Sequence, residues 1–573
     1  MGARQYAIGV DYGTNSCRAL LVDTATGREA ATSVFAYPRG DAGILLDKKD
    51  PNVARQAPGD YIAGFITTVQ NVVAEAKKNE PRFDPEAVAG IGIDTTGSTV
   101  LPVNGDGVPL GMLKKFEKHP AAQAWLWKDH TAWEEAALIT ETARKAKAPY
   151  LNACGGAYSS EWFWSKIWHC ERTAPEVFEA AASWVEACDF IPAFVTGNLA
   201  PKTLPRSVCA AGHKAMFGAA WGGLPSKAFL KKCSPGLADL RDRLYAPEQV
   251  KASDQTAGFL AEEVARVVGL PRGVPVAVGA FDAHHGAVGA GVGPGRLVKI
   301  MGTSTCDMMV APPKGLKDIP GICGMVPGSI IPGMVGLEAG QSAVGDIFLW
   351  FARHAATPEF RGKSDGETID KLTDACRKNP PGHNGLLALD WHNGNRTVLV
   401  DPLLGGMMAG QTLHTTAAEQ FRALMEATAF GGLKIIRRFE EHGVKVGDVI
   451  ATGGLADKMP VLMQIHADVF NRPVRVCKSA QTCALGAALF GAVAGGVYPT
   501  AEAAQKKMAS PASRVYKPNV EAARVYAELY ALYETLHDAF GGVDKNADVS
   551  QVMKQLIALR RRARKGWRRK AKV

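Results

Sequence analysis

The chain has 573 residues, more than one hydrophobic core usually organises, so we predict two to four domains. Its apolar fraction of 47% and charged fraction of 21% are typical of an ordinary soluble globular protein. The formal net charge of +10 comes from the end of the chain, because residues 554–572 include ten basic and no acidic residues. The rest is nearly neutral, so a solvated tail is favoured over a nucleic-acid-binding surface.

No stretch approaches the roughly 18 uninterrupted apolar residues of a membrane span, and the N-terminus leads directly into a strand-like segment. We therefore expect no signal peptide, no membrane partner and a cytoplasmic location. The eleven cysteines include no CxxC pair. This pattern favours reduced thiols over a disulfide framework or a structural zinc site.

The first predicted element is a hairpin in AIGVDYGTNSCRALLVD, residues 7–23, where a Gly-Thr turn joins two apolar strands. Gly13 would let backbone N–H groups approach phosphate oxygens, and Thr14 and Asn15 add side-chain donors. Asp11, at the end of the first strand, is suited to hold Mg²⁺ through water. One such turn alone is weak evidence, since most are ordinary tight turns.

Residues 60–79 have the apolar spacing of a helix, and the next strand, AVAGIGIDTTGS at residues 87–98, ends in a polar glycine turn. Later, VGAFDAHHGAVGAG places Asp282 between an apolar strand and a glycine-rich run. From this position alone, a helix N-cap and a cleft carboxylate are equally good interpretations of Asp282. We interpret His284 and His285 as local structure rather than metal ligands.

The hairpin plan then occurs again in LVKIMGTSTCDMMVA, residues 297–311, with Gly302, Thr303 and Ser304 at its turn. The segment DVIATGGLADK at residues 448–458 corresponds in turn to residues 87–98. This duplication predicts two related α/β lobes that face each other across a cleft, with a boundary near residue 290. Residues 417–443 and 523–540 are predicted helices.

Ten segments together resemble the FGGY family of carbohydrate kinases over nearly the whole chain, to about residue 540. In chain order they are DYGTNSCRALLVD, GIGIDTTGST, WLWKDHTA, YSSEWFWSKI, AGHK, GAFDAHHGAVGAG, MGTSTCD, GICG, GLEAGQSAVGDI and CALGAALFGAVAGG. Motifs of this length and order are very specific. Neither a GxxxxGK[ST] P-loop nor a protein-kinase glycine loop is present, so the hairpin turns are the alternative phosphate cradle.

The resemblance implies two actin-like, ribonuclease-H-like ATPase domains: an N-terminal sugar-binding domain at 1–290 and a C-terminal nucleotide-binding domain at 291–545. A basic tail at 546–573 would be poorly ordered. ATP and Mg²⁺ are the implied cofactors, a small sugar is the implied partner, and a homodimer is possible.

The same resemblance implies a role for each site residue. Asp282 would be the catalytic base, and Asp11 would lie near Mg²⁺. The remaining expectations are substrate binding by Thr96, Gly97, Lys214, Asp282 and Glu338, and ATP binding by Thr14, Asn15, Gly302, Thr303, Gly453 and Gly454. Trp127, Lys128, Asp129 and His130 would flank the pocket, although Trp127 fits core packing nearly as well.

The implied reaction is transfer of the γ-phosphate of ATP to O5 of ribulose, with L-ribulose favoured over D-ribulose, in pentose (arabinose) catabolism. The WKDHTA, SSEWFWSK and AGHK segments favour ribulose over xylulose, ribitol or glycerol as the acceptor. An actin-like ATPase without a sugar substrate is a third interpretation. One departure from the family pattern is Met459, where an asparagine is expected, and it puts an amide contact to the nucleotide in doubt.

Overall fold

The computed structural model of the chain describes residues 5–81, 83–377 and 379–570. Its strands are β1 (Tyr6–Tyr12), β2 (Ser16–Asp23), β3 (Glu29–Ala36), β4 (Leu45–Leu46), β5 (Ala54–Gln56), β6 (Val88–Thr95), β7 (Val100–Val103), β8 (Ala124–Trp125), β9 (Ser183–Glu186), β10 (Arg206–Ser207), β11 (Val250–Lys251), β12 (Thr256–Phe259), β13 (Pro275–Ala277), β14 (Ala280–Phe281), β15 (Arg296–Met301), β16 (Thr305–Ala311), β17 (Gly324–Pro327), β18 (Val335–Ala339), β19 (Leu387–Leu389), β20 (Met407–Ala409), β21 (Asp448–Thr452), β22 (Val474–Cys477) and β23 (Ala512–Tyr516).

The α-helices are α1 (Pro58–Asn79), α2 (Trp133–Lys145), α3 (Phe163–Thr173), α4 (Pro175–Ala180), α5 (Ala187–Thr196), α6 (Val208–Lys214), α7 (Lys227–Cys233), α8 (Pro235–Arg241), α9 (Glu262–Val268), α10 (Asp282–Gly289), α11 (Gly345–His354), α12 (Asp365–Cys376), α13 (Ala417–Glu441), α14 (Gly454–Lys458), α15 (Pro460–Phe470), α16 (Thr482–Ala494), α17 (Ala501–Met508), α18 (Val520–Phe540) and α19 (Val552–Lys570). Among the described residues, none of these helices combines the length and apolar character needed to cross a bilayer.

The N-terminal half contains a sheet with the strand order β12-β13-β6-β1-β2-β3. Strands β1, β2 and β3 are antiparallel neighbours, whereas β6 runs parallel to β1 and β13 parallel to β6. Every residue of β1 is buried, as expected for a central strand covered on both faces. Helix α1 covers one face and buries Tyr61, Phe65, Val69 and Val72 at helical spacing.

The C-terminal half repeats this arrangement in a sheet with the order β17-β18-β16-β15-β21-β22-β23. The hairpin β15–β16 corresponds to β1–β2, and β21 lies parallel to β15 as β6 lies parallel to β1. Strand β22 is parallel to β21, and β18 is antiparallel to β16. The same five-strand order and directions therefore occur twice, in agreement with the two related α/β lobes predicted from the paired hairpins and with the ribonuclease-H-like fold that the family resemblance implies. The domain limits themselves stay a prediction.

Helix α16 belongs to the second half in sequence but packs on β1 and β6 of the first sheet. The approach is close because the facing positions are glycines: a Cβ on Gly92 would lie 1.8 Å from the Ala487 carbonyl oxygen. Helix α10 packs on α16 in the same way, since a Cβ on Gly289 would lie 2.1 Å from the Thr482 carbonyl oxygen. Two glycine-rich helices thus lie between the two sheets.

The end of the chain differs from the poorly ordered tail that we expected. Val552–Lys570 forms α19, and its Leu556 and Leu559 are buried in the core of the C-terminal half. Arg564 of the same helix contacts Glu419 at 3.4 Å. Apolar residues at helical spacing explain the difference, since a chain segment of basic composition can still dock through one apolar face.

Candidate active site

Three aspartates meet at the ends of neighbouring strands in the N-terminal sheet. Asp11 of β1 is directly opposite Asp94 of β6 in the parallel register. Asp94 is in turn paired with Ala280 of β14, so Asp282 follows the same edge two residues later. The local cause is the parallel alignment of β1, β6 and β14, whose carboxyl ends share one edge of the sheet.

Burial of these carboxyl groups raises their affinity for protons. Burial, followed by the negative charge of Asp11, raises the pKa of Asp282 to about 7. Burial raises the pKa of Asp94 well above its ordinary value, and the charges of Asp11 and Asp282 add to that effect. Burial also raises the pKa of Asp11, although Arg18 opposes it with a guanidinium nitrogen 3.2 Å from the carboxylate. The cluster therefore favours a proton-accepting group near neutral pH.

Asp282 is the first residue of α10, and the N-cap position belongs to Phe281. The Asp282 carboxylate accepts a hydrogen bond of 2.6 Å from the Ala283 backbone N–H. Asp282 is therefore not the N-cap residue of α10, which one interpretation of the sequence had proposed. The charges of Asp11 and Glu338 both act on the Asp282 carboxyl group and raise its pKa.

Lys214 and Glu338, far apart in sequence, form an ion pair. The Lys214 ammonium lies 3.1 Å from Oε1 and 3.2 Å from Oε2 of Glu338. Lys214 ends α6, whereas Glu338 lies in β18, so this contact joins the two halves of the chain. Burial alone would raise the pKa of Glu338. The charge and hydrogen bond of Lys214 and the nearby imidazoles of His213 and His284 together outweigh burial and hold that pKa well below its ordinary range. Glu338 is thus an ionised acceptor beside a charged donor.

Aromatic rings surround the Lys214 ammonium. It lies 5.1 Å from the ring centroid of Trp162 and 5.7 Å from that of Phe281. A Cβ on Gly97 would lie 3.4 Å from the Phe281 ring, so the turn after β6 contacts the residue that precedes Asp282. The structure thus brings together Gly97, Lys214, Asp282 and Glu338. Thr96 adjoins them and shares a hydroxyl contact of 2.9 Å with Thr99.

The turn of the first hairpin is fixed by contacts from several loops. The Trp127 indole N–H donates to the Thr14 hydroxyl at 3.1 Å, and the Gln56 amide donates to the Thr14 carbonyl at 2.7 Å. The Thr14 hydroxyl hydrogen remains available to donate to a ligand. The Asn15 amide differs, because its nitrogen already donates to the Ala42 carbonyl at 2.7 Å.

The second hairpin turn lies beside the glycines that follow β21. Gly302 and Thr303 are exposed at the turn, and Ile300 pairs with Thr452 in the parallel register. Gly453 follows Thr452 with φ of +94°, and a Cβ there would lie 2.5 Å from the Met301 carbonyl oxygen. Gly454 begins α14 and has open space around it. This close backbone approach leaves the second turn and the two glycines with little side-chain cover.

Asp129 and Met459, both singled out in the sequence, are buried in the structure. Asp129 does not face a pocket, because it is fully buried in an ion pair with Arg55 and accepts a hydrogen bond from the Ala54 backbone. Met459 is 5% exposed and packs in the C-terminal core. The apolar side chain at position 459 therefore contributes to core packing.

Sequence reasoning did not assign three residues to this site, one of which, His284, it interpreted as local structure. Asp94 occupies the same place at the end of β6 that Asp11 occupies in β1, and that shared position was the available signal. His213 lies 3.2 Å from Glu338, and His284 lies 3.8 Å from it. Both histidines are buried, and burial lowers the pKa of His213 to about 4. No periodicity in the sequence indicates that these two rings meet.

Comparison with known proteins identifies the family to which the chain belongs. Residues 6–289 match the N-terminal domain of the FGGY family of carbohydrate kinases, and residues 297–495 match its C-terminal domain. A ribulokinase of Vibrio parahaemolyticus is 42% identical over 550 residues, which are 93% of this chain and 95% of that protein. A ribulokinase of Shouchella clausii is 42% identical over 578 residues, 98% of this chain and 99% of that protein.

The fold also matches solved structures. A xylulose kinase from Rhodospirillum rubrum superposes with a TM-score of 0.74 at 23% sequence identity, covering 94% of this chain and all of that one. The predicted pair of actin-like, ribonuclease-H-like domains is thereby confirmed as the fold class.

Proposed function

The chain belongs to the FGGY family of carbohydrate kinases, and from that premise we propose that it transfers the γ-phosphate of ATP to O5 of ribulose, with L-ribulose preferred. The observation that carries this proposal is the Lys214–Glu338 contact of 3.1 Å beside Asp282. The relatives named ribulokinase, which align over nearly the whole chain, support the choice of sugar.

In this proposal the sugar lies against Thr96, Gly97, Lys214 and Glu338. A ketopentose offers several hydroxyl groups and one carbonyl, and it needs both donors and acceptors at fixed positions. The Lys214 ammonium donates to the carbonyl or a hydroxyl, and the ionised Glu338 accepts from hydroxyls. Trp162 belongs to the SSEWFWSK segment and Lys214 to AGHK, so two of the segments that favour ribulose meet at this point.

Asp282 acts as the general base. Its carboxylate takes the proton of the O5 hydroxyl while O5 attacks the γ-phosphorus and ADP leaves. The raised pKa of Asp282 suits this role, because a base with a pKa near 7 is both unprotonated in part and basic enough at neutral pH. Closing the cleft around the sugar would exclude water from the γ-phosphate.

The nucleotide phosphates are assigned to the two hairpin turns. Thr14 offers its hydroxyl hydrogen from the first turn, and Asn15 contributes backbone rather than its occupied amide. From the second turn, Thr303 offers its exposed backbone N–H, whereas the Gly302 N–H already donates to the Ser304 carbonyl at 2.9 Å. Gly302 would contribute room for the phosphates, because it has no side chain. Gly453 and Gly454 would pass close to the adenosine, where the absence of side chains leaves room.

Asp11 is the proposed contact for Mg²⁺, through water. The site fits the ion, because Asp94 beside it has two carboxylate oxygens without a hydrogen-bond partner among the described residues. A bound Mg²⁺ would neutralise charge on the phosphates of ATP. We also propose the cytoplasm, where ATP is available, as the location of the enzyme.

Coupled ADP release with L-ribulose, D-ribulose, xylulose, ribitol and glycerol tests the proposal. We expect the highest kcat/KM with L-ribulose and little ADP without a sugar. Phosphorus NMR of the product would show a phosphate ester on the terminal carbon. Equal ADP release without sugar would refute the kinase, and a higher kcat/KM for xylulose or ribitol would refute the choice of substrate.

A further inference from the structure

Two histidines converge on Glu338 of the proposed sugar site, and the proposed reaction uses neither of them. The three side chains are His213 from α6, His284 from α10 and Glu338 from β18, and one ligand atom from each lies within 4.8 Å of the others. Both imidazoles are 1% exposed. The Glu338 side chain is 13% exposed, so the cluster is reachable from the cleft.

The contacts leave nitrogen atoms unused in this cluster. Three ring nitrogens, both of His284 and Nδ1 of His213, have no hydrogen-bond partner among the described residues. Such buried polar atoms are costly and call for an explanation. The other nitrogen of His213, Nε2, contacts the Ser329 hydroxyl at 3.0 Å, which orients the ring with Nδ1 toward Glu338.

The two distances from Glu338 to the histidines are close to those expected for tetrahedral coordination of one ion. Metal–ligand bonds of about 2.0 to 2.1 Å place neighbouring ligand atoms about 3.3 Å apart in a tetrahedron. Here Oε2 of Glu338 lies 3.2 Å from Nδ1 of His213 and 3.8 Å from Nε2 of His284. Two imidazoles and one carboxylate suit Zn²⁺ and its neighbours rather than Mg²⁺, which prefers oxygen ligands.

We propose that His213, His284 and Glu338 form a binding site for one Zn²⁺ ion, and that the bound ion excludes the sugar. The exclusion of the sugar by the ion rests on the proposed function. Lys214 lies 3.1 Å from Glu338, so a dication on that carboxylate repels the ammonium group and removes both the donor and the acceptor from the sugar. Zn²⁺ therefore inhibits by competing with the sugar.

The first experiment measures metal binding without reference to activity. The full-length protein, treated with a chelator, is titrated with Co²⁺ as a spectroscopic probe and with Zn²⁺ against a chromophoric chelator. We expect one equivalent to bind with the visible absorption of tetrahedral Co²⁺. His284→Gln should abolish these bands, and Ser329→Ala, which keeps all three ligands, should weaken binding by about 10-fold to 100-fold.

His392→Gln is the matched control, because His392 is a partly buried histidine that contacts Trp350 instead of this cluster. It should bind Co²⁺ as the unmodified protein does. Thermal unfolding checks that each variant is folded, and Ser329→Ala provides the test if His284→Gln is not. Absence of the bands, or bands of equal intensity in folded His284→Gln, would overturn the site.

The second experiment measures competition, with Mg²⁺ and ATP in excess. Zn²⁺ should raise the KM for ribulose with kcat unchanged, equally in the protein and in His392→Gln. A fall in kcat at constant KM would overturn the exclusion of sugar. If ribulose is not phosphorylated but Co²⁺ binds through His284, the proposed function fails and the metal site stands. If ribulose is phosphorylated but Co²⁺ does not bind, the metal site fails and the proposed function stands.

Discussion

At the scale of single residues, the setting of Asp282 separates it from other aspartates that begin helices. Asp365 also occupies the first position of a helix, α12, but it is exposed and pairs with Arg353 at 2.8 Å. Within the described part of the chain, Asp282 has no cationic partner at such a distance, and it lies near two further carboxylates. Burial and the nearby negative charges destabilise the ionised form of Asp282, and such perturbed groups are typical of functional sites.

Asp282→Asn should lower kcat by about 10²-fold to 10⁴-fold, because the amide cannot take a proton from the sugar. The thermal unfolding midpoint should stay unchanged or rise, since the substitution removes one of three repelling buried carboxylates. Coupled ADP release and calorimetry measure the two effects. Asp365→Asn is the control and should leave kcat unchanged. Near-normal turnover in folded Asp282→Asn would remove the base from the mechanism.

At the scale of elements, the turn between β21 and α14 depends on one backbone conformation. Gly453 has φ of +94°, and the Met301 carbonyl oxygen occupies the space where a side chain would begin. Met301 immediately precedes Gly302 of the second hairpin turn. A substitution at Gly453 therefore disturbs both segments that are assigned to the nucleotide.

Gly453→Ala should raise the KM for ATP by about 10-fold or more, since an added Cβ must displace Met301 and a loss of about 1.4 kcal/mol is tenfold in affinity. The KM for ribulose should change much less. Initial rates at varied ATP measure this effect. Gly496→Ala is matched in conformation, with φ of +74°, but has nothing within 4 Å of the added atom. An equal rise in the KM for ATP in both variants would show that backbone strain, and not contact with Met301, causes the rise.

Helix α15 contains a buried histidine whose titration affects stability. Burial lowers the pKa of His466 to about 3, while Nδ1 contacts the Leu462 carbonyl at 2.9 Å. The folded-state pKa lies below the ordinary value of about 6.5, so the unfolded chain binds more protons between those two values. Stability must therefore fall as the pH falls from about 6.5 toward 3.

His466→Gln should make the thermal unfolding midpoint less dependent on pH in this window. The histidine contributes up to about 1.4 kcal/mol per pH unit there, and glutamine contributes nothing because it does not titrate. Calorimetry at several pH values between about 4.5 and 7 measures the slope. The exposed His414, changed to Gln, should leave the slope as it was. Parallel curves for the His466 variant and the unmodified protein would contradict this assignment.

At the scale of the whole molecule, α16 connects the two halves through backbone contact. Gly90 and Gly92 of β6 face the helix, and a Cβ on Gly90 would lie 2.0 Å from the Gly491 carbonyl oxygen. The start of α16 also contacts the second sheet, because the Thr482 and Thr452 hydroxyls are 3.0 Å apart. The helix thus holds the aspartate-bearing edge of one sheet close to the nucleotide turn of the other.

Gly92→Ala should destabilise the protein by about 3 kcal/mol or more, because the added Cβ meets helix backbone that has no side-chain freedom to move aside. Soluble yield and the thermal unfolding midpoint measure the effect. Gly105→Ala is the control, since a Cβ there has nothing within 4 Å. A Gly92 variant as stable as the Gly105 variant would show that α16 moves away from the sheet without cost.

The repeated unit is predictable from the amino-acid sequence alone. Paired Gly-Thr hairpins and strands ending in glycine turns predict two related lobes because local pattern specifies local elements. Asp11, Asp282 and the hairpin glycines were candidates for the same reason, since each lies at the end of an apolar strand, and the resemblance then favoured Asp282 as a base over a helix cap. The family resemblance added Lys214 and Glu338, whose sequence separation no local pattern bridges.

The tertiary structure was needed to establish which groups meet. Asp94 joins Asp11 through parallel register, and His213 and His284 meet at Glu338 because α6, α10 and β18 converge there. The pKa of Asp282 likewise depends on burial and on neighbours from other strands. The docking of α19 was missed because basic composition masks an apolar face that is evident only against its partner. These features depend on contacts between residues far apart in the chain. Local sequence patterns do not specify which distant residues come together.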